Sequence, residues 1–195
     1  MDGTVHEVEE QYELRFERHL KHPVEKVWAA LADPERRAEW LAPGTIELRP
    51  GGRAELTFDN DPTGQDGTDL AGTVRVADPP RLLELSWTTE SGREEPVRWE
   101  LFPEADGTRL VLTHTVRRPI PRGFGLNVQN SVMDGRMAGC LAGWHGHLDR
   151  LPQMLDGQPV LYSLAAWAEL YLRYLAVSRS LATSGSRSQV PVAVR

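Results

Sequence analysis

His22-Pro23-Val24-Glu25-Lys26-Val27-Trp28-Ala29-Ala30-Leu31-Ala32-Asp33-Pro34-Glu35-Arg36-Arg37-Ala38-Glu39-Trp40-Leu41 spells out two short helices, one after the other. Pro23 and Pro34 each suit a first helical position, where the missing N–H would lack a partner anyway. Asp33 is a good N-cap for the second helix, and His22 a poorer one for the first. Val24, Val27, Trp28 and Leu31 recur at i, i+3, i+4 and i+7, so the first helix must press one face onto something apolar.

Just upstream, Gln11 to Leu20 sets Tyr12, Leu14, Phe16 and His19 among charges, the alternation of a half-buried first strand. Downstream come short β-type runs at Thr45 to Arg49, Arg53 to Phe58, Asp69 to Ala77, Leu82 to Trp87, Pro96 to Phe102 and Arg109 to Val116. Pro50-Gly51-Gly52, Asp78-Pro79-Pro80, Ser91-Gly92 and Ala105-Asp106-Gly107 separate them with turn chemistry, which predicts an antiparallel meander. Val97, Trp99 and Leu101 fall on one face, as do Leu110, Leu112, His114 and Val116 on the next run.

Beyond the loop from Pro119 to Gly125 the period becomes helical. Met133, Met137, Leu141 or Cys140, Trp144, Leu148, Leu151 and Leu155 form the apolar stripe of a long amphipathic helix, with a kink or early end expected at Pro152. Gly135, Gly139, Gly143 and Gly146 make a second stripe, read as close packing against another backbone, either the segment from Val160 to Val177 or a second subunit in a homodimer. That later segment has the length of a membrane span. Glu169 and Arg173 near its middle make it a docked amphipathic helix and argue against membrane insertion.

With 195 residues and 40% hydrophobic content the chain has enough apolar material for one full core plus extensions. The organisation expected is an N-terminal extension over 1–10, a domain over 11–155, an additional helix over 156–177 and a flexible tail over 178–195. A net charge of −6, with 22 Lys and Arg interspersed among acids, argues against nucleic acid. The lone Cys140 forms no internal disulfide, and Met1 leads into acidic residues rather than a signal peptide, so the chain reads as cytoplasmic.

Several motifs, in order, carry a resemblance: Pro23 to Leu31 as Pro-x-x-x-Val-Trp-x-Ala-Leu, Trp40 with Leu41-Ala42-Pro43-Gly44, Pro50-Gly51-Gly52, Gly107-Thr108-Arg109-Leu110, and Gly143-Trp144 ahead of Leu148. They resemble the START-like, or SRPBCC, superfamily, and within it the branch named after the activator of the heat-shock-protein-90 ATPase. The resemblance implies an α+β helix-grip fold: a curved antiparallel sheet of about seven strands around a long C-terminal helix, with two short helices after strand one. It also implies an apolar cavity between sheet and long helix. Trp40, Trp87, Trp99, His114, Met137 and Trp144 are the expected ligand-binding lining, with His114 orienting an otherwise apolar guest. The bland reading of His114 is a hydrogen-bonded core residue, with the tryptophans as packing.

Other constellations point to little chemistry. His145 and His147 sit i,i+2, about 160° apart around the helix, and do not share one metal; they read as surface or rim histidines. Asp59-Asn60-Asp61-Pro62-Thr63-Gly64 imitates a calcium loop, but Leu70 stands where the closing Glu belongs. Cys140 has no base placed near it by sequence and reads as a buried structural thiol. Glu100 and Glu55 serve as acid or base only if buried, and exposed strand positions are the plainer reading. No catalytic residue, metal or cofactor is expected. Three functions follow: a non-enzymatic carrier of a small apolar or lipid-like metabolite; a co-chaperone-like module acting on a larger ATPase partner, as the resemblance implies; and a polyketide cyclase- or dehydratase-like enzyme.

Overall fold

Asp33 accepts hydrogen bonds from the backbone N–H groups of Glu35 and Arg36 at 2.9 and 3.2 Å, satisfying two donors that open the second short helix. A computed structural model describes residues 3–8, 11–58, 68–88, 94–117, 126–161, 163–184 and 190–191. In chain order the elements are β1 (Thr4–Val8), β2 (Gln11–Leu20), α1 (Val24–Ala32), α2 (Pro34–Trp40), β3 (Gly44–Ile46), β4 (Arg53–Phe58), β5 (Thr68–Asp78), β6 (Leu82–Thr88), β7 (Glu94–Glu104), β8 (Gly107–Arg117), α3 (Leu126–Leu155), α4 (Leu164–Ser184) and β9 (Val190–Pro191). The strands form one sheet in the order β3-β4-β5-β6-β7-β8-β2-β1-β9, each neighbouring pair antiparallel.

This is the expected α+β helix-grip arrangement. Residues such as Leu14, Phe16, Leu85, Val97, Leu110 and Leu112 on the sheet are buried against Met137, Leu141, Trp144, Leu148 and Leu151 of α3. Each fully buried large apolar side chain contributes about 1.5–3 kcal/mol, so this interface is the main source of cohesion. The two short helices close one end of it. Trp40 is fully buried and its indole N–H donates to the Ala30 carbonyl at 2.9 Å, tying α2 to α1. Arg37, 1% exposed, donates to the carbonyls of Leu31 and Ala32, so a buried cation caps the C-terminus of α1 where the helix dipole is negative. Burial holds the Arg37 guanidinium below its ordinary range, against the opposing pull of Asp33.

Several boundaries differ from the sequence expectation. Pro23 is the N-cap of α1 rather than its first residue. The N-terminal extension contains β1, which pairs with β2 from Thr4↔Arg15 to Val8↔Gln11, and β9 pairs with β1 in turn, so the sheet has nine strands rather than seven. The additional helix starts at Leu164 and runs to Ser184, into the segment expected to be a flexible tail. Pro152 does not end α3. A proline costs one intrahelical bond, yet the last turn closes with a Schellman pattern, Gln158 N–H to Gln153 carbonyl and Gly157 N–H to Met154 carbonyl, with Gly157 at φ 68°. The glycine stripe packs closely only at Gly135, whose added Cβ would lie 3.3 Å from the Tyr171 hydroxyl; at Gly139, Gly143 and Gly146 no described atom lies within 4 Å. Among the described residues, no helix is long and apolar enough to cross a membrane.

Gly107 explains one motif of the resemblance. Its φ is +153°, and a Cβ there would sit 2.0 Å from the Leu20 carbonyl oxygen, while Thr108 next to it donates its hydroxyl to the His22 carbonyl at 2.7 Å. The β7–β8 turn is thereby locked to the chain entering α1. Gly107→Ala is expected to lower the unfolding free energy by at least about 2 kcal/mol, seen as a drop in the urea midpoint with an unchanged slope.

Candidate functional site

Strict alternation on β7 and β8 turns Glu95, Val97, Trp99 and Leu101 inward on one strand, and Leu110, Leu112, His114 and Val116 inward on the next. The register Val97↔His114 sets His114 diagonally between Glu95 and Trp99. Trp144 of α3 comes down on this patch. Its indole N–H donates to His114 Nδ1 at 3.0 Å, and its ring meets Trp87, Trp99 and His114 edge to face, with centroids 5.8, 5.8 and 6.0 Å apart. At 100° per residue, Arg136, Cys140, Gly143 and His147 lie on one face of α3, a step round from Trp144.

A buried ion pair joins helix to sheet. Glu95, 2% exposed, accepts from Arg136 Nη2 through Oε2 and from the backbone N–H of Arg117 through Oε1 at 3.1 Å. His114 Nε2 stands 3.6 Å from Glu95 Oε2, within ion-pair range but too far for a hydrogen bond. Because Trp144 donates to Nδ1, neutral His114 carries its proton on Nε2. That N–H and the indole N–H of Trp99 are both buried and without a hydrogen-bond partner among the described residues.

The charges follow from these contacts. Burial holds the His114 imidazole below its ordinary range despite Glu95, so it is neutral near pH 7. Burial pushes the Glu95 carboxyl up, but the facing N–H dipole of His114 and the hydrogen bonds from Arg136 and Arg117 outweigh it and leave the group below the usual carboxylate range. Cys140, under the same helix face, is pushed up to about 11 by burial and is a thiol, not a nucleophile. His147, beside Phe58 and Trp144, is pushed down to about 3 by burial and by the Arg150 cation.

The structure brings together four of the six sequence-predicted lining residues: Trp87, Trp99, His114 and Trp144. Met137 is buried two turns before Trp144 on the same face of α3. Trp40 has spent its indole N–H on Ala30, and reaches the cluster only through its backbone carbonyl, 3.1 Å from His147 Nδ1. Glu100 is half-buried and Glu55 exposed, and they pair with Arg98 and Arg53. Glu95 and Arg136 were missed. The signal for Glu95 was the inward phase of Val97, Trp99 and Leu101, which extends two residues back to a carboxylate.

The space between sheet and helix is occupied by rings. Beside Trp87, a void of about 10 Å³ is lined by Leu56, Leu70 and Gly72, enough for one water at most. A larger cleft of about 450 Å³ lies elsewhere, between Lys26 of α1, Arg36 and Glu39 of α2, and Met154 at the end of α3. Gly143 lies on the same helix face as Cys140 and His147, and a Cβ added there, as at Gly139 and Gly146, would meet no described atom within 4 Å.

On the opposite side of α3, His145 is no rim residue but 7% exposed. Its Nε2–H faces Asp149 Oδ2 at 3.1 Å, and its Nδ1 lies 2.7 Å from the Tyr174 hydroxyl, which accepts the Gly3 N–H at 3.1 Å. Arg18 completes the chain with Asp149 Oδ1 at 3.0 Å. These bonds fasten α4, α3, β2 and residue 3 together. Among the described residues, no group of His, Cys, Asp and Glu could hold a metal; the calcium-like stretch 59–64 lies outside the described residues.

Acid should act on this site in two steps. His147 has a folded value below its unfolded one, so the unfolded chain binds the proton first and stability declines as pH falls from about 6.5 toward 3. Glu95 is also depressed, so its contribution is present above the unfolded carboxylate range and is lost on further acidification. Urea unfolding across pH 3–7 is expected to show both phases; Glu95→Gln flattens the lower one and His147→Phe the upper.

The family described as "Activator of Hsp90 ATPase homolog 1-like protein" matches residues 21–156. Solved structures share the fold. CalU16 from Micromonospora echinospora is 24% identical with a TM-score of 0.63, covering 86% of this chain and 89% of its own. The protein encoded by BPP1335 of Bordetella parapertussis is 32% identical with a TM-score of 0.62, over 83% and 84%. DynU16, from the dynemicin biosynthetic locus, is 25% identical with a TM-score of 0.60, over 77% of this chain and 49% of its own. No curated protein matches. The chain belongs to the family of Activator of Hsp90 ATPase homolog 1-like proteins, built on the START-like helix-grip fold.

Proposed function

We propose that this protein binds a small apolar or amphipathic molecule between α3 and the sheet, in the space bounded by Gly143, Trp87, His114 and Trp144. The observation that carries the reading is a pair of buried N–H donors between helix and sheet, His114 Nε2 and Trp99 Nε1, left without hydrogen-bond partners among the described residues. Each such donor costs about 1–3 kcal/mol unless something accepts from it, and a ligand is the economical acceptor. Entry requires Trp87, half-buried at the rim, to swing off Phe58, with which it makes a tilted contact at 5.7 Å. Burial of ligand carbon against the indoles then supplies the affinity.

A cyclase-like reading is favoured by one specific feature, the ionised Glu95 beside the neutral Nε2–H of His114, a carboxylate base and a hydrogen-bond donor 3.6 Å apart. The position of DynU16 in a biosynthetic locus suits either reading. The binding reading asks less of the site, since Glu95 is already engaged by Arg136 and Arg117.

The test is titration with a fluorescent apolar probe and thermal shift across a panel of lipids and aromatic metabolites. Saturable binding, displaceable by panel members and weakened about tenfold or more by Gly143→Leu, is expected. No saturable binding of the probe and no shift with any panel member would sink the proposal. Turnover of a bound member that is abolished by Glu95→Gln would transfer the protein to the cyclase class.

A further inference from the structure

Glu95 and His114 present a matched acceptor and donor to one point. Glu95 Oε1 is taken by the Arg117 N–H and Oε2 by Arg136, but an ionised carboxylate has about four lone-pair positions, so acceptor capacity remains. His114 can only donate there, because Trp144 fixes its other nitrogen as the acceptor at 3.0 Å. The two groups stand 3.6 Å apart, too far to satisfy each other and close enough for one atom to reach both with a small parting of the side chains.

Charge narrows the choice. A ligand carboxylate would meet the Glu95 anion, and an amine cation would meet the His114 N–H and the Arg136 guanidinium, both in a dry setting where like polarities are costly. A ketone or ether oxygen accepts from His114 but turns lone pairs toward Glu95. A hydroxyl both accepts and donates through one atom while staying neutral, which suits a donor and an acceptor only 3.6 Å apart.

We propose that the ligand is a neutral amphipathic alcohol or phenol whose hydroxyl bridges the pair, accepting from His114 Nε2–H and donating to the Glu95 carboxylate. This rests on the binding reading above. Trp144 is then a positioning residue, since its N–H selects the tautomer that donates. Arg136 keeps Glu95 ionised and fills the remaining side of the carboxylate, so the bridge takes a hydroxyl and not a second cation.

Four matched compounds test it: naphthol, methoxynaphthalene, naphthalene and naphthoate, measured by calorimetric titration against the intact chain and against Glu95→Gln and His114→Phe. Naphthol is expected to bind about tenfold or more tighter than methoxynaphthalene, a difference of the size a charge-assisted hydrogen bond gives, and naphthoate weakest. Both variants should bring the naphthol-to-methoxynaphthalene ratio to about one. Glu95→Gln keeps the side-chain shape and carries the comparison if His114→Phe fails to fold. Equal binding of naphthol and methoxynaphthalene by the unaltered protein overturns the hydroxyl assignment but leaves the apolar-ligand reading standing. Absence of binding by all four overturns both.

Discussion

Trp144 sets the position of the long helix on the sheet. Its N–H is tied to His114, and its ring is surrounded by Trp87, Trp99, His114 and His147 at centroid distances between 5.8 and 6.1 Å. A helix is stiff along its axis, so fixing one residue fixes those a few turns away. Arg136, eight residues earlier, lies about 12 Å back along α3, and it is there that the helix meets Glu95 at the end of β7's inward row. The same register places Gly143 beside the aromatic cluster. The buried ion pair, the tautomer of His114 and the room next to Gly143 all depend on where that indole sits.

Intrinsic helix propensity would not hold α3 there. Four glycines weaken it by roughly 4 kcal/mol relative to alanines, and Pro152 removes a further bond. Tertiary contacts make up the difference on two opposite sides. The sheet side has the apolar stripe and Trp144; the outer side has the chain from Arg18 through Asp149 and His145 to Tyr174 and Gly3. The Asp149 carboxyl is pushed up by burial, but the hydrogen bond and charge of His145, with Arg18, outweigh it and hold the group below the usual range. This outer network explains why α4 docks although leucines such as Leu164 and Leu172 remain largely exposed.

Legibility in the sequence followed the range of the physics involved. Local signals served well: Asp33 caps α2, Pro34 starts it, and the period-two rows of β7 and β8 put Trp99 and His114 on one face. Register and helix phase then carried Trp144 to them. Glu95 escaped because a carboxylate at the end of an apolar row reads as a strand terminus; only the cation it meets across the fold makes its burial tolerable, and Arg136 lies 41 residues away. His145 escaped for the same reason, since Tyr174 is 29 residues further on and Asp149 alone looks like an ordinary i,i+4 surface partner. Pro152 misled because it removes a single N–H, after which the helix continues for a turn and closes through the Schellman bonds to the Gln153 and Met154 carbonyls.

The motifs that carry the family match divide by what they do. Trp40 anchors α2 to α1 through Ala30, Gly107 makes the close turn beneath Leu20, and Gly52 sits where a Cβ would strike the Glu47 carbonyl at 2.2 Å; all three are conditions for closing the fold. Gly143-Trp144 is different, since those two residues border the space a ligand would enter. Glu95, His114 and Arg136, on which the proposed hydroxyl bridge depends, stand outside every one of these motifs. The motifs of the family therefore account for the frame, while the proposed ligand preference rests on residues whose identity the frame does not dictate. A protein with the same motifs and an apolar residue in place of Glu95 would keep the fold, free Arg136 to face solvent, and lose the acceptor that makes a hydroxyl preferable to an ether.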